Sequence, residues 1–590
     1  MERGALSLAD IQEVPEENLV LLAGPPGAGK SSFCHQVVLN GLAMDKPVIF
    51  VTTEQHPTRV ISLLRERGLG ERLPEGVSFV DAYSQTVGIE SPARPDTTYA
   101  NCMDLNSISI ATTKLQERMG RTGILLAFDS LTSPYLFSGA EVTKFMRLFL
   151  SKFAAEGNSV LALVDEGCGK SEDLVAMMSV ADGVIKIEIE EHKRLLNVVK
   201  HPRVSPTGIE VSMTPSIGIE AYMPDPSMTR QFVQAMLRED QAWMRRGVGD
   251  FVNLFWPNLA HWSGMLWDPK RFPTMAYELN REDPRYMMRE GRASFPWQMR
   301  LLLKLAPKDF SKVKEMKKAS KLGVPYIKMA HFERSGIVEY LEDVSKRDEH
   351  YFRVYESSDC WGFENVGATM ASHLPPLFAG SYEGIEREEK NWNAVETKCI
   401  GLGDPYCEFK VVPGDIDELK ASLEKDISVV ERIHDRLMDR LLGFLLDGKP
   451  LVERPKLGSD VQLHAVWHAM GSALSSERYR MAQRMGGAKS GKELGERLMD
   501  AGLNEDEAIK RVIDFVNHCK VGEITLGETI RLEGNCESLS MNFFTPKPEE
   551  PSCYFTTGFL NGFFSAVKNQ HVREVRCIAM GDPYCEWEIR

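Results

Sequence analysis

No stretch of this chain holds the roughly 18 consecutive apolar residues that a membrane helix needs. A basic surplus is lacking too. The net charge is −14, with 20 Lys and Arg against 28 Asp and Glu in residues 1–222. Neither that part nor the remainder has the positive balance of a phosphate-backbone binder. Cysteine is sparse, at eleven in 590 residues, too few for a disulfide scaffold. The first residues, Met1 to Glu17, are polar and acidic rather than apolar, so they do not read as a signal peptide. The expectation is a cytoplasmic protein with reduced thiols, no membrane segment and little affinity for nucleic acid. At roughly 150 residues per domain the length suggests three or four domains.

What is present begins at Gly24-Pro25-Pro26-Gly27-Ala28-Gly29-Lys30-Ser31, followed by Ser32. This is G-x-x-x-x-G-K-S, the spacing of a phosphate-binding loop, with an apolar strand (18–23) before it and a helical pattern (31–42) after. Glycines let successive N–H groups turn toward phosphate oxygens, helped by the positive end of the helix. Lys30 is placed to reach the β- and γ-phosphates and the Ser31 hydroxyl to hold Mg²⁺. The next β-branched run (47–52) leads into Glu54, a candidate general base for an attacking water. About 100 residues beyond the loop, Gly123 to Asp129 is an apolar strand ending in a carboxylate, a candidate Mg²⁺ holder through water. A further strand (159–164) ends in Asp165-Glu166, and residues 184–213 are strand-rich, as expected of antiparallel strands added to a sheet edge.

The segments GPPGAGKSSF, FVTTEQHPTRV, ILLAFDSLTS and ADGVIKIEIEEHKRLLNVVKHPR, in this order and spacing, resemble the RecA-like ATPases of the KaiC/GvpD type over residues 1–222. The resemblance implies a RecA core that assembles into a ring with ATP at subunit interfaces. It also implies a Lys-x-Arg pair reaching a neighbour's γ-phosphate. Here the nearest match is Lys200-His201-Pro202-Arg203, one residue longer, so Lys200 and Arg203 are the candidates. The family's paired acids after the second strand are Glu54-Gln55 here, which bears on the rate of hydrolysis rather than on binding.

The second half contains a repeat. Cys399 to Phe409 recurs as Cys577 to Trp587, identical at eight of eleven positions with an offset of 178. Glu396 and Glu574 keep that offset, and Cys360 and Cys536 come within two residues of it. Each repeat thus offers Cys, then Glu-x2-Cys-x7-Cys, a reasonable donor set for structural Zn²⁺. The candidate ligands are Cys360, Glu396, Cys399 and Cys407, then Cys536, Glu574, Cys577 and Cys585. Unliganded buried cysteines are the alternative. Gly-Asp-Pro-Tyr between the last two cysteines is a tight turn that folds one back beside the other. These segments resemble 4-vinyl-reductase-type domains. That implies an α+β fold enclosing a pocket for a small apolar ligand beside a Glu/Cys3 zinc site.

The fold class expected is therefore α/β: a RecA-like parallel-sheet ATPase domain (1–222) followed by two α+β ligand-sensing-type domains (272–412 and 450–590). Residues 223–271 read as a helical aromatic connector and 413–449 as a helical linker, with one long helix over 415–446. His464 and His468, four apart on a helix, read as a structural pair or as ligands of a metal or haem. The function expected is a signalling ATPase, a homo-oligomer binding ATP and Mg²⁺ and regulated by zinc-stabilised sensors of a small apolar molecule. The alternative is a DNA-dependent RecA-type motor with the C-terminal half as a docking platform, against which the acidic charge argues.

Overall fold

The computed structural model describes residues 11–590 apart from 70–75, 90–93, 121, 191–192, 213–222, 241, 290–311, 315–316, 318–324, 387–389, 415, 471–475, 546 and 549. The chain divides into two compact units, 1–216 and 217–590. Among the described residues no helix is long and apolar enough to cross a membrane.

The first unit is one nine-stranded sheet. In chain order it contains β1 (Asn18–Gly24), α1 (Lys30–Ala43), β2 (Val48–Thr52), α2 (Pro57–Glu66), β3 (Val77–Asp81), β4 (Thr97–Tyr99), α3 (Leu105–Met119) and β5 (Leu125–Asp129). Then come α4 (Thr132–Ser138), α5 (Glu141–Phe145) running through a π turn into α6 (Ser151–Ala155), β6 (Ser159–Asp165), α7 (Ser171–Val180), β7 (Gly183–Glu190), β8 (Lys193–Lys200) and β9 (Thr207–Ser212). The strand order is β4-β3-β2-β5-β6-β1-β7-β8-β9. All neighbours from β4 to β7 run parallel, and β8 and β9 continue the edge antiparallel. The strand-rich 184–213 segment thus contributes one parallel strand before the antiparallel pair. β1 and β2 are buried almost throughout, as strands covered on both faces must be. Register aligns their carboxyl ends: Gly24 lies opposite Asp165, and Thr52 opposite Asp129. Parallel strands of equal register bring these ends to one edge, where open α/β sheets bind ligands.

The second unit is built twice. It contains β10 (Met223–Pro224), α8 (Pro226–Arg238), β11 (Phe251–Asn253), α9 (Phe255–Trp267), α10 (Phe272–Arg289), α11 (Pro325–Phe332), β12 (Ile337–Tyr340), β13 (His350–Tyr355), α12 (Leu374–Glu386), β14 (Trp392–Lys398) and β15 (Cys407–Pro413). Next are α13 (Asp417–Leu423), α14 (Ile427–Asp447), β16 (Asp460–Gln462), α15 (Leu463–Met470), α16 (Glu477–Asp500), α17 (Glu505–His518), β17 (Glu523–Leu526) and β18 (Thr529–Glu533). The chain ends with β19 (Phe544–Thr545), α18 (Tyr554–Lys568), β20 (Val572–Arg576) and β21 (Cys585–Ile589). The single helix expected over 415–446 is two, α13 and α14, because the Asp426 carboxylate accepts the Ser428 N–H at 2.8 Å and caps a new start.

Both repeats fold into a four-stranded antiparallel sheet of equivalent order, β12-β13-β15-β14 and β17-β18-β21-β20. Short segments ahead of each repeat are exchanged. β11 pairs antiparallel with β16. Buried Arg245 donates to the carbonyls of Lys520, Val521 and Gly534 in the second repeat, while buried Arg454 donates to those of Arg334 and Glu356 in the first. The segment expected as an aromatic connector is thus the counterpart of 454–470, and its Trp256 and Trp262 lie in the one core that runs through both repeats.

Helices α16 and α18 touch backbone to backbone. A Cβ on Gly562 would stand 1.9 Å from the Ala488 carbonyl oxygen, and one on Gly491 would stand 2.0 Å from that of Phe559. Only glycine permits so close an approach. Gly562→Ala is expected to cost about 3 kcal/mol in a urea unfolding titration, since backbone cannot move aside as a side-chain tip can. Gly527→Ala, whose Cβ meets nothing within 4 Å, is the matched control and is expected to leave the midpoint unchanged.

Candidate nucleotide site and candidate metal centres

The Gly24–Ser31 loop leaves β1 and closes onto α1. Gly27 and Gly29 have φ of 79° and 96°, the left-handed region that favours glycine, and Gly29 caps α1. The Ala28 N–H donates to the Pro25 carbonyl at 3.2 Å, which tightens the turn. Lys30 is buried, its ammonium donating to the carbonyls of Gly24 (2.9 Å) and Pro25 (2.8 Å) and pairing with Asp165 Oδ1 at 2.5 Å. The Ser31 hydroxyl donates to Asp129 Oδ1 at 3.3 Å, so the two groups expected to share Mg²⁺ are side by side. Burial pushes the Asp129 carboxyl up to about 6, against the Ser31 hydrogen bond, with nearby Glu54 adding to the rise. A divalent cation is the natural complement of two carboxylates held this close.

Glu54 follows β2, and its Oε1 accepts the Ser130 hydroxyl at 2.6 Å. Cross-links between Thr53 and Ser130 tie the ends of β2 and β5 together, so Glu54 and Asp129 face the same edge. Gln55 bonds locally, its carbonyl accepting the Thr52 hydroxyl at 2.6 Å. Ser32 accepts a hydrogen bond from Arg67 at 2.8 Å. Lys200 is level with Val184, which lies opposite Leu21 in the middle of β1. Arg203 runs on toward the start of that strand and pairs with Glu13 at 2.8 Å. These two cations are therefore not brought to the phosphate loop of their own chain. Asp165 was not singled out from the sequence: it is an acid at a strand end like many others, and only the β1–β6 register sets it against Lys30.

The first repeat gathers Cys360, Glu396, Cys399 and Cys407, with their donor atoms within 4.8 Å of one another. A bulge between Glu396 and Lys398 in β14 breaks the strict alternation of faces and turns Glu396 toward Cys399. In the Gly-Asp-Pro-Tyr turn, Gly403 has φ of 101° and the Asp404 carboxylate accepts the Cys399 N–H at 3.0 Å. The Glu396 Oε2 atom accepts the N–H groups of Met370 and Ala371, while Oε1 is buried with no hydrogen-bond partner. The sulfurs of Cys360 and Cys399 are 3.7 Å apart, and those of Cys399 and Cys407 are 3.9 Å apart. Hydrogen bonds from Cys360 and Cys407 draw the Cys399 thiol down to about 3, while burial raises Cys360 and Glu396.

The second repeat reproduces the centre with one ligand exchanged. The cluster is Cys553, Glu574, Cys577 and Cys585. Bulge, turn and cap recur: the strand shifts register between Glu574 and Arg576, Gly581 has φ of 102°, and Asp582 accepts the Cys577 N–H at 2.9 Å. Glu574 Oε1 is again buried without a partner. The Cys553 sulfur lies 3.7 Å from Cys577 and 3.4 Å from Cys585. Hydrogen bonds from Cys553 and Cys577 outweigh burial and pull Cys585 down to about 5.

The expectation for Cys536 is corrected. At the true offset of 178, Cys360 corresponds to Ser538, whose hydroxyl lies 3.3 Å from the Cys585 sulfur, and the residue matching Cys536 is Ser358. Cys536 sits away from the centre, its carbonyl taking the Trp467 indole N–H at 2.9 Å and its thiol pushed up to about 12 by burial. The third thiol comes instead from Cys553, the residue capping α18.

Both donor sets fit zinc. At a Zn–S distance of about 2.3 Å, a tetrahedron spaces its sulfurs about 3.8 Å apart, close to the separations in each trio. The orphaned carboxylate oxygen supplies the fourth donor. His464 serves otherwise: Nδ1 contacts Glu333 Oε1 at 2.5 Å and the ring stacks on Phe232. The side chain of His468 lies outside the described residues.

A parallel sheet with a glycine-rich loop, a buried lysine and two carboxylates at one edge defines a RecA-like P-loop ATPase core. Residues 8–220 match the KaiC family of ATPases, and residues 544–590 match the 4-vinyl-reductase (4VR) domain family. The first unit thus carries a KaiC-type ATPase domain, and the C-terminus carries a 4-vinyl-reductase domain. The chain is 29% identical over 197 residues to a UPF0273 protein of Aeropyrum pernix, covering 30% of this chain and 72% of that one. It is 44% identical over 78 residues to a UPF0273 protein of Pyrococcus furiosus, covering 13% of this chain and 32% of that one, about a third of that relative's length. A solved KaiC-like protein from Pyrococcus horikoshii covers 34% of this chain and 88% of its own at 16% identity, with a TM-score of 0.26.

Proposed function

We propose that this protein is an ATP-hydrolysing switch in which a KaiC-type domain is regulated by two metal-stabilised 4-vinyl-reductase-type domains. The observation that carries the ATPase half is the convergence of Lys30, Ser31, Asp129 and Glu54 at the carboxyl edge of one sheet. Lys30 and the loop amides bind the phosphates, Ser31 and Asp129 hold Mg²⁺, and Glu54 orients and deprotonates the attacking water. Lys200 and Arg203 act on the γ-phosphate of a neighbouring subunit in a homo-oligomer. The equivalent sheet order of the two repeats supports reading the first as a second domain of the 4-vinyl-reductase type. Zn²⁺ in each stabilises the fold and performs no chemistry, because four protein ligands close its coordination sphere. A small apolar ligand in these domains is the regulatory input.

Glu54→Gln is expected to keep ATP bound and to slow turnover at least about 100-fold, read as phosphate release beside nucleotide titration. A full-rate variant removes Glu54 as the base. On the full chain, an ATPase rate indifferent to every member of an apolar-ligand screen and to loss of both metal centres removes the regulatory half of the reading.

A further inference from the structure

A lysine ammonium has three N–H donors. Those of Lys30 face three acceptors: the carbonyls of Gly24 and Pro25 and the carboxylate of Asp165. The last is an ion pair with side chains only 8% and 22% exposed, so it is weakly screened. Its geometry is imposed by the sheet, since Gly24 and Asp165 are register partners across β1 and β6. Asp165 is further anchored by its own N–H, which donates to the Thr132 hydroxyl at 2.9 Å. The adjacent acid, Glu166, pairs elsewhere, with Lys186 at 2.9 Å.

We propose that Asp165 is an affinity-setting residue of the nucleotide site, a built-in carboxylate that competes with the nucleotide's phosphates for Lys30. The inference rests on the reading of Lys30 as the holder of those phosphates. A phosphate oxygen that takes the ammonium leaves Asp165 as an uncompensated anion beside a second anion, and that penalty is subtracted from binding. The apparent affinity is thus lowered by the share of lysine committed to the carboxylate, a cost that a substitution can remove. This differs from the Mg²⁺ role of Asp129, which gains from nucleotide binding where Asp165 loses.

The test is titration of the full chain with MgATP, and separately with MgADP, by calorimetry. Asp165→Asn keeps the shape and removes the charge, and Asp165→Ser is a second neutral variant should the first fold poorly. Either is expected to lower the Kd for both nucleotides at least about ten-fold. Asp165→Glu, which restores a carboxylate, is expected to return it toward the wild-type value. Glu166→Gln removes equal charge one residue away and is expected to leave it within about two-fold. An unchanged or raised Kd in the neutral variants overturns the inference, because Asp165 then assists binding or is a bystander. If neither the wild type nor any variant binds nucleotide, the reading of the site itself falls, an outcome distinct from wild-type binding that Asp165 does not affect.

Discussion

Lys30→Ala is expected to abolish measurable ATP turnover and to weaken MgATP binding at least about 100-fold. Three physical terms act together. The ammonium is the one buried cation that contacts the loop carbonyls among the described residues, so its loss removes the charge-assisted contact to the phosphates. It also removes the counter-charge from Asp165, leaving a carboxylate at the site that repels an incoming triphosphate. The two carbonyls lose their donor as well. Truncating one partner of a buried charge pair costs about 2–5 kcal/mol, which corresponds to roughly 30- to 5,000-fold in affinity. Lys30→Met keeps most of the stem and separates lost charge from lost packing. Nucleotide titration and phosphate release check both variants, and retained turnover in Lys30→Ala would remove the loop from the mechanism.

The part of this site legible in the sequence is the part set by local geometry. Gly27 and Gly29 were visible because a left-handed turn ahead of a helix asks for glycine, and Lys30 and Ser31 follow at fixed spacing. Asp129 was visible because an apolar run ending in an acid is a local pattern. Asp165 has the same local pattern, yet its contact with Lys30 depends on which strands are neighbours and in what register. The exchange of segments in the second unit was illegible for a related reason. Arg245 and Arg454 are lone arginines in sequence, and their meaning lies in carbonyls of Val521 and Glu356 far along the chain.

The repeat shows how far a pattern can carry and where it stops. The second pair of cysteines, the glutamate and the Gly-Asp-Pro-Tyr turn keep a constant offset, because a bulged strand and a tight turn fix them relative to one another. The remaining thiol is under no such constraint. A sulfur from any segment that reaches the open vertex of the tetrahedron serves equally well. The first repeat supplies it from the turn after β13 and the second from the cap of α18. The 176-residue spacing between Cys360 and Cys536, two short of the offset kept by every other ligand, was the one local sign that Cys536 was not the equivalent.

Elemental analysis of the purified full chain is accordingly expected to find two zinc ions per chain. Cys577→Ser and Cys399→Ser should each reduce this to one, because each removes a thiolate flanked by the other donors of its centre. The discriminating pair is Cys553→Ser and Cys536→Ser. The first is expected to drop the stoichiometry to one and the second to leave it at two, since only Cys553 lies within reach of Cys577 and Cys585. The reverse result would show that the centre is assembled from the turn after β18, as in the first repeat. The energetic consequence is large. Without a cation each centre buries a glutamate and three thiols whose ionised forms repel one another, and structural zinc supplies folding free energy directly. A strong chelator is therefore expected to lower the melting temperature of the second unit by more than about 10 °C, with added zinc restoring it. Loss of ligands from one centre should produce about half that shift. Thiol titration gives an independent readout: ligand cysteines should be protected from modification while zinc is bound and released by chelation. The Cys536 thiol, buried against the second repeat's interior, should stay unreactive until the fold opens. A chain that holds no metal, yet melts identically with and without chelator, would make both clusters ordinary core.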